Sequence, residues 1–129
     1  MNIWQEFNGS PEEWDEFIVQ NEGNYRQLYD WGRLQENKGW KIHRYLKKEN
    51  NIFHSSVQIL SKNFIFFKFL YLPGGVSGNE SGFGDLKGLM KEIVGSLPFY
   101  VRLDSNYEHD KTIVSKFLSA YWSRPVYFL

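Results

Sequence analysis

No cysteine occurs in this 129-residue chain, which excludes disulfides, thiol nucleophiles and thiolate-ligated zinc. Histidine is scarce: His43, His54 and His109 show no short metal-ligand spacing, which argues against a zinc or iron site. No apolar run reaches the ~18 residues that a membrane span requires. The opening Met1-Asn2-Ile3-Trp4-Gln5-Glu6 has neither the basic nor the apolar stretch of a secretory signal. There is no Gly-x-Ser-x-Gly. Gly74-Gly75-Val76-Ser77-Gly78 resembles a phosphate loop only superficially, because the Gly-Lys-Ser/Thr ending is missing. These absences leave a soluble, cytoplasmic domain for which no metal and no cofactor is expected.

Aromatic residues are abundant, with 11 Phe, 8 Tyr and 5 Trp, enough to fill a core and to exclude a disordered polar tail. Residues 1–129 are expected to form one domain. Net charge is zero, but it is unevenly placed. Met1 to Gln35 carries two arginines against seven acids, a net of −5, whereas Glu36 to Leu72 carries seven basic residues against two acids, a net of +5. The basic middle fits either the solvated face of a sheet or attraction of a phosphate-bearing ligand.

Ser10-Pro11-Glu12-Glu13 reads as a helix start, with Ser10 as cap and Glu13 completing a capping box. Trp14, Phe17 and Ile18 follow at helical spacing, and Gly23 stops the run. A second helix is expected from Tyr25 to Lys38, with Leu28, Trp31 and Leu34 on its apolar face and Gly39 at its end. Alternation from Trp40 to Lys47 predicts a strand whose Lys41, His43, Tyr45 and Lys47 face is solvated. Lys48-Glu49-Asn50-Asn51 reads as a hairpin turn, and Ile52–Leu60 as a strand with Phe53, Ser55, Val57 and Ile59 on one face. Ser61-Lys62-Asn63 separates it from Phe64–Tyr71, a run of β-formers that fits a central strand covered on both sides, in which Lys68 needs water or a partner. A glycine-rich loop, a helix from Asp85 to Leu97, a strand at Phe99–Asp104, a helix from His109 to Trp122 and a strand opening at Pro125 complete the chain.

This order, ααβββαβα(β), is an α+β plan close to the acetyltransferase-like (GNAT-like) fold. The Arg/Gln-x-x-Gly-x-Gly/Ala signature that holds the acetyl-CoA pyrophosphate is absent, which disfavours a self-sufficient acetyltransferase. Asp104 ends a short apolar strand before Ser105-Asn106, where a carboxylate serves either as an acceptor or base in a cleft or as a turn acid. Arg102, two residues earlier, shares its face of the strand. Trp31 and Trp40 read as core.

Taken in order, these landmarks resemble the N-terminal part of the Fem family, the peptidoglycan bridge-forming aminoacyltransferases. The resemblance runs through Trp14-Asp15-Glu16-Phe17-Ile18, Gln27-Leu28-Tyr29-Asp30-Trp31, Gly39-Trp40, Tyr71-Leu72-Pro73-Gly74-Gly75-Val76 and Arg102-Leu103-Asp104. It implies a cytoplasmic enzyme of two acetyltransferase-like domains that transfers an amino acid from aminoacyl-tRNA to a side-chain amine of a nucleotide- or lipid-linked peptidoglycan precursor. Asp104 matches the family aspartate near the accepting amine, with Arg102 beside it. Gln35 stands where the family has a lysine that contacts the precursor's diphosphate. Gly74 replaces the arginine of the family turn, with Gly75 after it and Val76 in place of the second proline. The resemblance also implies that 129 residues are a truncated form, inactive alone and completed by a second domain or a partner chain. The alternative is a non-catalytic module on the same fold that binds a nucleotide-sugar or a protein.

Overall fold

Ser10 caps the first helix by accepting a hydrogen bond at Oγ from the Glu13 N–H (3.2 Å), and Pro11 fills the first turn, where no N–H is required. The computed structural model describes residues 4–78, 86–104 and 126–128. Helix α1 spans Pro11–Gln20 and buries Trp14, Phe17 and Ile18. Asn21 closes it, its side-chain amide donating to the Phe17 carbonyl (2.9 Å). The left-handed residue after the helix is Glu22 (φ 52°) rather than the expected Gly23. Gly23 is needed for closeness instead, because an added Cβ would lie 2.7 Å from Ser77 Oγ.

The single helix expected over residues 25–38 is broken in two. A 3-10 turn at Tyr25–Gln27 precedes an extended Leu28, and helix α2 runs Tyr29–Glu36. Tertiary bonds cause the break. Asn24 Oδ1 accepts from the Arg26 N–H (2.9 Å), and the Gln27 amide is drawn into the sheet. Helix α2 has no side-chain cap of its own, and Asp15 of α1 supplies one by accepting from the Tyr29 N–H (2.7 Å). The expected apolar face is also corrected. Gly32 is the buried residue of α2, and Leu34 is 59% exposed. The helix backbone approaches polar groups, since a Cβ at Gly32 would meet Gln58 Oε1 at 2.5 Å and Arg44 Nη2 at 2.9 Å.

The strands are β1 (Gln5–Glu6), β2 (Lys41–Glu49), β3 (Ile52–Asn63), β4 (Lys68–Pro73), β5 (Ser77–Gly78), β6 (Phe99–Asp104) and β7 (Val126–Phe128). They form one sheet in the order β1-β2-β3-β4-β6-β7, with β5 paired to β3. Pairings up to β4 are antiparallel, while β4, β6 and β7 run parallel. The β2–β3 turn is tight, with Asn50 and Asn51 both at positive φ (53° and 65°), as asparagine permits. Helix α3 (Leu86–Val94) crosses between β4 and β6.

Strand parity then sorts the sheet. Val57, Ile59, Leu70, Leu72, Val101 and Leu103 form a core with Leu86, Leu89, Met90 and Val94 of α3. Lys68 shares that side and donates from Nζ to the Ile93 carbonyl at the end of α3 (3.1 Å), a favourable place for a cation. On the opposite side Trp14, Phe17 and Ile18 pack with Phe7, Leu28, Tyr29 and Phe53.

Three strand expectations are corrected. Phe53 does not share a face with Val57 and Ile59, because the register skips His54 between Lys47↔Ser55 and Lys48↔Phe53. That bulge reverses parity and turns Phe53 toward α1, 5.7 Å from Phe17. The second face of β2 is solvated only at its start: Lys41 is exposed, whereas Lys47 is buried beneath Trp4, and His43 and Tyr45 are half-buried. Residues 61–63 extend β3, and Phe64–Phe67 form the connection to β4. The Phe64 N–H donates to the Phe67 carbonyl (2.8 Å) and their rings stack at 4.8 Å, which ends the strand run that hydrophobicity alone would continue. The helix expected over 109–122 lies outside the described residues.

Candidate functional site

Parallel pairing brings the ends of β4 and β6 together, with Pro73 opposite Asp104 and Tyr71 opposite Arg102. The chain leaves β4 through Gly74 (φ 78°) and Gly75 (φ 74°), a left-handed pair that glycine adopts without strain. Gly74 also lies flat against Asn24, where a Cβ would collide with the asparagine side chain. Asp104 and the Gly74-Gly75 turn, separated by about 30 residues, thus meet at one sheet end. The described part of Asp104 is its backbone position.

Two residue pairs inward, the Arg102 guanidinium lies over the Tyr71 ring at 4.7 Å. Its Nε is buried and has no hydrogen-bond partner among the described residues. Arg26 approaches the same tyrosine, donating from Nη1 to Tyr71 Oη (3.2 Å) and from Nε to Asn24 Oδ1 (3.1 Å). Trp40 flanks Tyr71 at 6.2 Å, and Lys62 Nζ stands 4.6 Å from the Trp40 ring. Three cations around two half-buried aromatic rings make this face suited to an anionic or carbonyl-rich ligand. Of the residues expected from sequence, Arg102, Gly74, Gly75 and Asp104 converge here. Gln35 sits one layer away, its carbonyl accepting from the Trp40 N–H (3.2 Å), and no described contact joins its side chain to Arg102 or the glycine turn. Trp31 and Trp40, expected in the core, are both half-buried.

Arg26 and Gln58 were passed over in the sequence, and Gln27 and Tyr71 stood there only as landmarks of the resemblance, with no role at the site. Gln27 is fully buried. Its Nε2 donates to the carbonyls of Pro73 (2.5 Å) and Gln58 (3.2 Å), and its Oε1 accepts from the Gln58 N–H (2.7 Å). The Gln58 side chain in turn accepts from Arg44 Nε (2.8 Å) and donates to the carbonyls of Arg26 (3.2 Å) and Leu28 (3.1 Å). Arg44 donates to the Tyr29 carbonyl (3.0 Å) and covers the Tyr29 ring at 3.5 Å, and burial lowers its pKa. This polar layer holds Arg26 and the start of the glycine turn on the sheet.

Among the described residues, general acid–base groups are few near this end. His43 lies on the α3 side of the sheet, bonded through Nε2 to Ser61 Oγ (2.8 Å). Burial first, then Lys41 and Lys68, depress its pKa to about 4, so the ring is neutral at neutral pH. Among the described residues, no three acidic or histidine side chains are grouped to hold a metal. No described helix is long and apolar enough to cross a membrane. An open cleft of about 560 Å³ between α1 and the β2–β3 hairpin, lined by Glu13, Glu16 and Lys48 among others, is separate from these groups.

No family model and no curated protein matches this sequence. Among solved structures the chain is similar to the crystal structure of FemX. The match covers 90% of this chain at 22% identity, with a TM-score of 0.68, and takes in 31% of the FemX chain. In architecture, then, the chain is Fem-like, a mixed α/β fold that spans about a third of the length of FemX.

Proposed function

We propose that this chain forms the acceptor-binding part of a tRNA-dependent aminoacyltransferase that adds amino acids to the peptide of a peptidoglycan precursor. The likeness to FemX supports an acetyltransferase-like domain of that class. The observation that carries the reading is the in-register meeting of Pro73 with Asp104, two pairs beyond the Tyr71–Arg102 stack and at the same strand parity. In this reading Asp104 orients the acceptor amine. Arg102 and Arg26 receive the precursor's diphosphate or a peptide carboxylate, in place of the family cations that Gln35 and Gly74 replace. Gly74 and Gly75 let the backbone approach the bound peptide. The step is aminolysis of an ester: the neutral amine attacks the aminoacyl carbonyl, a C–N bond forms, and the C–O bond to the tRNA ribose breaks. The amine's proton passes to the leaving oxygen or to solvent. What this face contributes is orientation of the amine. The aminoacyl-tRNA is bound by a second domain or a partner chain, and the reaction belongs in the cytoplasm, where both substrates are made.

Calorimetric titration with a UDP-linked muramyl pentapeptide tests this assignment. Arg102→Ala is expected to weaken binding about tenfold or more, as loss of a charge-assisted contact does. Asp104→Ala should also weaken it, and Lys48→Ala, whose ammonium lies over Phe53 beside α1 and outside these contacts, should not. Absence of binding by the unaltered chain, or equal binding by all variants, overturns the assignment.

A further inference from the structure

The opposite end of the sheet carries a second feature. At the β3–β4 connection Phe64, Ile65 and Phe66 are 49%, 89% and 80% exposed. Ile65 and Phe66 stand at the corner of a turn closed by the Phe64 N–H to Phe67 carbonyl bond, and neither has positive φ. Tight turns favour Gly, Asn, Asp and Pro for conformational reasons that isoleucine and phenylalanine do not meet, so local folding does not account for this pair. The tip is nonetheless held firmly, since Phe64 stacks on Phe67 and Phe67 meets Tyr100 edge-on at 5.2 Å. Leu97, 43% exposed, comes to the same end, because the following Pro98 carbonyl accepts from the Lys68 N–H (2.9 Å).

Charge surrounds this apolar tip. A recess of about 510 Å³ is lined by Gly39, Lys41, Ser61, Lys62, Asn63 and Phe64, with two lysines and no carboxylate. Lys38 is exposed one residue before Gly39. We propose that the Phe64-Ile65-Phe66 tip, with Lys38, Lys41 and Lys62, is an anchor that docks the chain on the surface of an anionic lipid bilayer. Shape and size favour a bilayer over a protein. Three projecting side chains are far smaller than the roughly 800 Å² per partner of a stable protein pair. A convex aromatic tip collared by lysines suits the interface between acyl chains and anionic headgroups. Strand β4 separates the tip from Pro73 by about 17 Å, at ~3.3 Å per residue, so docking leaves the Arg102–Tyr71 face open. Lys62, which also stands over Trp40, borders both features, so the serine variant of the tip is the one that tests docking alone.

The experiment is co-sedimentation of the full chain with vesicles of phosphatidylglycerol and phosphatidylcholine in equal parts, against phosphatidylcholine alone. Binding is expected on the anionic vesicles, weakening as salt is raised. Ile65→Ser with Phe66→Ser should weaken it at least about tenfold, given the apolar contact removed. Lys41→Gln with Lys62→Gln should weaken it about fivefold for each lysine at low salt. Lys41, Ile65 and Phe66 are exposed and Lys62 is half-buried, and an unchanged melting temperature confirms that each variant folds. Absence of binding to anionic vesicles, or binding that Ile65→Ser with Phe66→Ser leaves intact, overturns the proposal. So does a dimer that the serine variant dissociates while vesicle binding is unchanged, which would make the tip a contact between copies of the chain.

Discussion

Replacing Gln27 with leucine keeps the side-chain volume and removes three hydrogen bonds from a site with no access to water. Two of the partners left behind, the Gln58 N–H and the Pro73 carbonyl, have these bonds at 2.7 and 2.5 Å. A buried polar group stranded in this way costs about 1–3 kcal/mol. Leucine's own burial returns part of that, so a net loss of about 2–4 kcal/mol is expected for Gln27→Leu. For 129 residues the unfolding entropy is about 0.27 kcal/mol per degree, which converts the loss to a fall in melting temperature of about 7–15 °C. Circular dichroism melts and urea unfolding measure it, and the urea midpoint should fall with little change in slope. A melting temperature within about 2 °C of the unaltered chain refutes the reasoning, since it would mean that the glutamine bonds contribute no net stability.

Three further outcomes follow from local geometry. Gly88 lies in the interior of α3 with nothing within 4 Å of an added Cβ, so Gly88→Ala should raise stability by about 0.5–1 kcal/mol in urea unfolding. Gly74→Ala should do the reverse by about 2 kcal/mol or more, through its positive φ and the collision with Asn24. Ser10→Ala removes the Oγ cap of α1 and should cost about 1 kcal/mol, visible as a lower melting temperature. His43 titrates at about 4 in the folded chain against 6.5 when unfolded. The unfolded chain therefore takes up the extra proton between those values, and stability falls as pH drops through that window, with the loss complete below about pH 4. The full difference corresponds to about 3 kcal/mol, and with the ring partly exposed about 1–2 kcal/mol is expected. Unfolding at pH 7 and pH 4.5 should show this, and His43→Gln should flatten it. An NMR titration that finds the folded ring near pH 6.5 contradicts the assignment.

Much of the fold was legible because its signals are local. The Ser10-Pro11 start, the Asn50-Asn51 turn, the apolar face of α3 and the Phe99–Asp104 strand each follow from a few adjacent residues whose conformational preferences agree with their burial. The candidate site was half legible. Arg102, Gly74, Gly75 and Asp104 were selected from sequence, and the parallel pairing of β4 with β6 brings them to one end. Arg26 and Tyr71 were not selected, because nothing in their neighbours shows that residues 45 positions apart will share a hydrogen bond.

What the sequence determined by itself was the placing of α1, the β2–β3 hairpin, α3 and β6, since helix caps, glycine stops and alternation act over a few bonds, while the two-residue strands β1 and β5 carry no such signal. The tertiary structure decided what lies on which face. The skipped His54 reversed the parity of Phe53, Gln27 was drawn into the sheet and split the expected second helix, and Lys68 found the end of α3. Each of these is set by a partner on another element, and hydrogen bonding of a buried group across the fold outweighs the weaker propensity of its own segment. Among the described residues, the candidate site gathers arginine, lysine, tyrosine and tryptophan with the backbone position of Asp104.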